Sequence, residues 1–106
     1  MLEKIIQFLK SLSLTKAAYN AFLKDIQSQL NRVKVDENVS QYYVLLEKEG
    51  KNAVAFFVKR YEDGRTTRTK LNEQIDVELL PQEVAEELTD EGCCKLDDSL
   101  FRVKRK

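Results

Sequence analysis

The stretch Gln41 to Tyr61, QYYVLLEKEGKNAVAFFVKRY, constrains the fold more than any other, because β-branched and aromatic residues crowd both sides of one turn signal. It reads as a β-hairpin. With Gly50-Lys51 as the loop, Gly50 supplies the positive φ of a type II′ turn, and the ladder pairs Leu46 with Ala55, Leu45 with Phe56, Val44 with Phe57 and Tyr43 with Val58. Asp63-Gly64 is a second turn signal. Taken as a two-residue loop, it pairs Tyr61 with Thr66, Lys59 with Arg68, Phe57 with Lys70 and Phe56 with Leu71, which makes a three-stranded antiparallel meander.

Side chains alternate between the faces of a strand, so this register divides the meander. Tyr43, Leu45, Val54, Phe56, Val58, Thr69 and Leu71 form the expected core face. Tyr42, Val44, Leu46, Ala55, Phe57, Lys59, Tyr61, Arg68 and Lys70 form the other. That second face mixes rings with cations, and Lys59 directly opposite Arg68 is unfavourable unless an anionic partner sits near. Tyr42, Phe57, Lys59, Tyr61, Arg68 and Lys70 are therefore the candidate contact residues.

Ahead of the hairpin, Leu2, Ile5, Leu9, Leu12, Tyr19, Leu23, Ile26, Leu30 and Val33 recur at helical spacing. One unbroken helix is one reading; a break at Ser11-Leu12-Ser13-Leu14-Thr15 is the other. We expect the break, since three hydroxyls compete for backbone hydrogen bonds and Ser13 or Thr15 could cap a second helix. After the meander, Pro81 opens a short acidic helix, PQEVAEEL, which Gly92 ends. The tail from Cys93 to Lys106 is expected to form a C-terminal β-hairpin, with Asp97-Asp98-Ser99 as its turn and Leu100 to Lys104 as its last strand. The expected architecture is α+β, one domain over residues 1–106, with N-terminal helices packed on the antiparallel β-meander.

Charge is segregated along the chain although the net charge is zero: residues 1–35 carry +4, residues 71–98 carry −9 and residues 99–106 carry +4. A generic polyanion binder is disfavoured by that balance, while a local basic surface is allowed. Cys93 and Cys94 are adjacent, so an ordinary disulfide between them would be strained, and the chain has no histidine to complete a zinc site. Reduced thiols, no metal and no cofactor are expected. No run approaches the length of a membrane span, and Glu3, Lys4 and Lys10 interrupt the N-terminal apolar residues, so no membrane association and a cytoplasmic location are expected.

No residue pattern here supports catalysis. The carboxylates from Glu83 to Glu91 spread around a short exposed helix rather than sharing a dry pocket, and a cysteine nucleophile would have no histidine as base. The expected function is a non-catalytic binding or assembly module acting through protein contacts, including self-association. The alternative is a nucleic-acid-binding or regulatory domain using the basic, aromatic sheet face, with rings to stack bases and cations to meet phosphates. A third possibility neutralises those cations within the fold, through Glu83, Glu86 or Glu87.

Overall fold

A computed structural model describes residues 2–105, with burial and side-chain contacts from residue 16 onward. The fold is α+β: helix α1 (Leu2–Leu30), strands β1 (Lys34–Val35), β2 (Val39–Glu49), β3 (Asn52–Tyr61) and β4 (Thr66–Asp76), helix α2 (Gln82–Glu91), and strands β5 (Cys93–Lys95) and β6 (Lys104–Arg105). Strands β4-β3-β2-β5 form a four-stranded sheet. Strands β1 and β6 form a separate two-stranded one.

The expected break near Ser11 is absent, and α1 is continuous. Serine costs a helix only about 0.5 kcal/mol relative to alanine, and no proline or glycine precedes Gly50 to stop propagation. A helix of this length runs about 44 Å at 1.5 Å per residue. It is accommodated because the molecule is elongated, 59 × 27 × 20 Å. Phe22, Ile26 and Leu30 are its buried residues among those whose side chains are described, at a spacing of one helical turn. They pack toward β4 and the short 3-10 turn Val77–Leu79 that follows it.

The first hairpin has the expected register, from Glu49 opposite Asn52 to Tyr43 opposite Val58. Gly50 has φ +60° and Lys51 does not share a positive φ, the pattern of a type II′ turn. The second turn differs. Tyr61 N–H donates to Arg65 O at 2.8 Å and Gly64 N–H donates to Tyr61 O at 3.0 Å, so the loop holds three residues, Glu62-Asp63-Gly64, rather than two. Gly64, at φ +90°, is the left-handed residue that closes such a loop. Asp63 braces it by accepting from Arg65 N–H at 3.0 Å and from Arg65 Nε at 2.9 Å.

That one extra loop residue shifts β4 and turns over its side chains, because side-chain direction has period two. Lys59 faces Thr67 instead of Arg68, Phe57 faces Thr69, and Phe56 faces Lys70. A bulge then adds two residues to β4 between the Phe56–Lys70 and Val54–Gln74 pairs. Two residues preserve parity. Leu71 and Ile75 accordingly reach the helix side together and are buried there.

The core lies on the face opposite to the expected one. Val44, Leu46, Ala53, Ala55, Phe57, Leu71 and Ile75 join Phe22, Ile26, Leu30, Leu88, Cys94 and Leu96 in a single cluster, whereas Phe56, Leu45 and Tyr43 are only half-buried on the far side. Both faces of β2 and β3 are apolar, so alternation alone does not choose between them. Ala53 and Ala55 of β3, both fully buried, are the small residues within that cluster.

The C-terminal segment does not form a hairpin. Asp97 Oδ1 accepts from Ser99 N–H at 2.9 Å and opens a 3-10 turn, Asp98–Leu100, which redirects the chain instead of reversing it. Gln27 then holds the strap, accepting from Arg102 N–H at 2.9 Å and donating to Arg102 O at 2.8 Å. Strand β5 therefore pairs antiparallel with β2, and β6 pairs in parallel with β1. Helix α2 matches its expectation, with Leu88 buried beneath it and Gly92 at φ 78° capping Leu88 O at 2.9 Å.

Phe57→Ala is expected to lower the unfolding free energy by about 3–5 kcal/mol, and Phe56→Ala by less than about 2 kcal/mol, because only the first leaves a sealed cavity. Urea unfolding of the two variants ranks the faces directly; the opposite order would restore Phe56 to the core.

Candidate binding surface and the cleft at its edge

The outward face of the four-stranded sheet carries Tyr43, Leu45, Val54, Phe56 and Val58 from its two central strands. Val54 and Val58 are buried, yet both stand apart from the main cluster, because they lie on the opposite face of the sheet. The larger residues around them remain partly open to solvent. Charged groups cap the rings: the Arg68 guanidinium lies 4.5 Å from the centre of Phe56, and Lys95 Nζ lies 5.0 Å from that of Tyr43. Arg68 also pairs with Glu47, and Lys70 Nζ lies 3.5 Å from Glu49. Such exposed pairs are each worth about 0–1 kcal/mol, so they position charge more than they stabilise the fold.

The six residues singled out from the sequence do not share this surface. Arg68 and Lys70 are on the outward face, while Tyr42, Phe57, Lys59 and Tyr61 are on the helix side. Phe57 is core, and its ring lies 6.0 Å from that of Tyr42. Tyr61 is half-buried between Arg65, 4.6 Å from its centre, and Lys59 Nζ, 5.9 Å away. The residues missed as surface are Tyr43, Leu45, Phe56 and Lys95. No signal within the strands separates their face from the buried one.

At the edge of the sheet, β5 covers only part of β2. It pairs Leu45 with Lys95, Leu46 with Cys94 and Glu47 with Cys93, and two further bonds flank it, from Lys48 N–H to Gly92 O at 3.0 Å and from Leu96 N–H to Val44 O at 2.9 Å. Beyond Val44, no described strand lies on this side of β2. The chain instead crosses a cleft of about 240 Å³ and returns as the strap, so that β2 forms one wall and Phe101, Val103 and Arg105 line the other. Arg105 Nη1 donates to Val39 O at 3.1 Å and its guanidinium lies 5.4 Å from the centre of Tyr42.

Cys94 is the most perturbed titratable group. It is 3% exposed, and its Sγ–H donates to Glu87 Oε2 at 3.2 Å. Burial, reinforced by the Glu87 hydrogen bond and charge and by Cys93, pushes its thiol from 9.0 up to about 12. The neutral thiol is a weak nucleophile, so this environment favours packing over chemistry. Partial burial also raises the Tyr19 hydroxyl, with charge interaction at Cys94 a secondary cause. Both cysteines are free. Among the described residues, no three Cys, Asp or Glu side chains gather as a metal site, and no helix is long and apolar enough to cross a membrane.

Comparison with protein families, with curated proteins and with solved structures returns no match to this chain.

The sign of the Cys94 shift gives a pH dependence. Above about pH 9 the unfolded chain loses the thiol proton while the folded protein keeps it, so stability falls with pH until about 12, where the folded thiol also ionises. Cys94→Ala should flatten the decline in unfolding midpoint from pH 9 upward. A variant that declines as steeply as the parent would assign the effect to other groups.

Proposed function

We propose that this chain is a non-catalytic binding or assembly module that makes protein contacts through the outward sheet face, with a second copy of itself as the partner that fits. The carrying observation is the apolar centre of Tyr43, Leu45 and Phe56, left without a helical cover among the described residues and rimmed by charge of both signs. An apolar centre with a polar rim is the anatomy of a protein interface.

Charge complementarity favours self-association. On this face the acids Glu47 and Glu49 lie on β2 and the bases Arg68 and Lys70 on β4, with β3 between them. A twofold axis running along β3 brings each column against the opposite column of the second copy, an isologous contact that closes on itself. The nucleic-acid reading has less support, because the same acids that pair Arg68 and Lys70 would face a phosphate backbone.

Light scattering on the purified protein should give twice the 12.3 kDa chain mass. Leu45→Glu combined with Phe56→Glu should return it to one chain while the far-ultraviolet circular dichroism is kept. A single-chain mass for the parent at all concentrations argues against self-association. Retention on immobilised single-stranded DNA that falls steeply with salt would favour the nucleic-acid reading instead.

A further inference from the structure

The cleft beside β2 has a feature that the sheet face does not share: unfilled positions in a backbone ladder. Val44 accepts from Leu96 N–H, but Leu96 returns no bond to Val44 N–H, so only half of that ladder pair is made. Tyr42 is paired with Lys59 on β3 and lies two residues before Val44, so by strand alternation its N–H and C=O also point toward the open edge. Three backbone groups therefore face the cleft in the spacing that another strand would satisfy. The cleft beside that edge is lined by both apolar and polar residues, Phe101 and Val103 alongside Asp98 and Arg105, and an open edge is otherwise a liability that folded proteins cover or charge.

We propose that the free edge of β2 at Tyr42 and Val44 accepts an extended peptide segment as an added antiparallel strand, with one apolar side chain in the cleft and an acidic residue at the Arg105 end. The direction continues the antiparallel pairing that β5 begins, which is also the slightly stronger of the two ladders. The side-chain preferences follow from the walls. A residue opposite Tyr42 points to the same side as Tyr42, where Leu30, Phe57, Phe101 and Val103 line the space. An antiparallel strand then ends near Ser40, beside Arg105, and starts near Asp98, so an acid suits its C-terminal side and a cation its N-terminal side.

Main-chain bonds supply the affinity in this mode and the alternate side chains the selectivity, as in other cases of strand addition. The occupant is thus a peptide strand from another protein, at a site distinct from the sheet face and independent of self-association there.

A displayed library of random heptapeptides, selected on the full chain, tests this. Selected peptides should alternate apolar residues and place an acid toward the C-terminus. N-methylation of the backbone nitrogen opposite the edge should weaken binding roughly tenfold, the expected loss for one or two ladder bonds. Amide exchange at Tyr42 and Val44 should slow when a selected peptide is added. Tyr42→Pro removes the edge N–H without touching the β2–β3 ladder and should abolish binding, with the N-methylated peptide as the check that does not depend on this variant folding. No enrichment over the Tyr42→Pro chain, binding indifferent to N-methylation, or a mass that halves in Tyr42→Pro because a second copy occupies the edge would each overturn the proposal.

Discussion

A hairpin with two apolar faces can be covered on only one of them by a single helical layer, and the remainder of this structure follows from that constraint. The helices α1 and α2 seal the face bearing Val44, Leu46, Ala55 and Phe57. The opposite face retains Tyr43, Leu45 and Phe56 in partial contact with water. At about 25 cal/mol per Å² of apolar surface, leaving such side chains half-open forfeits stabilisation that a partner can recover. Arg68 over Phe56 and Lys95 over Tyr43 recover part of it within the chain, since their apolar stems and cationic heads cover ring surface.

Electrostatics is reorganised by folding. The chain segregates its charges into basic, acidic and basic blocks, yet on the outward sheet face the acids of β2 lie between Lys95 of β5 on one side and, beyond β3, Arg68 and Lys70 of β4 on the other. The acidic α2 contributes to this only indirectly. Its Glu87 holds the Cys94 thiol at the junction of α2 and β5, while the carboxylates that neutralise the sheet cations are Glu47 and Glu49 of β2. None of the three α2 acids suspected of that role is paired with Arg68 or Lys70.

The short β5 and the long detour to β6 shape the edge cleft. A full C-terminal hairpin would have continued along β2 and closed it. The 3-10 turn at Asp98–Leu100 and the grip of Gln27 on Arg102 carry the chain away instead, to the two-residue pairing with β1. The same three features leave the backbone of β2 at Tyr42 without a neighbouring strand on that side.

Sequence alone determined the first hairpin, its register and its turn, because Gly50 permits the required φ and β-branched and aromatic residues fill both strands. It likewise determined the α+β class, the acidic helix and its Gly92 stop, each of which rests on local backbone preference. The continuity of α1 was within reach, since hydroxyl residues weaken a helix far less than glycine or proline do. Tertiary structure decided which face is core, because both faces are apolar and only the side on which the helices pack distinguishes them. It also decided the lateral register of β4: Asp-Gly serves loops of two residues or three, and the one-residue difference moves Arg68 away from Lys59 and splits the candidate contact residues between opposite faces.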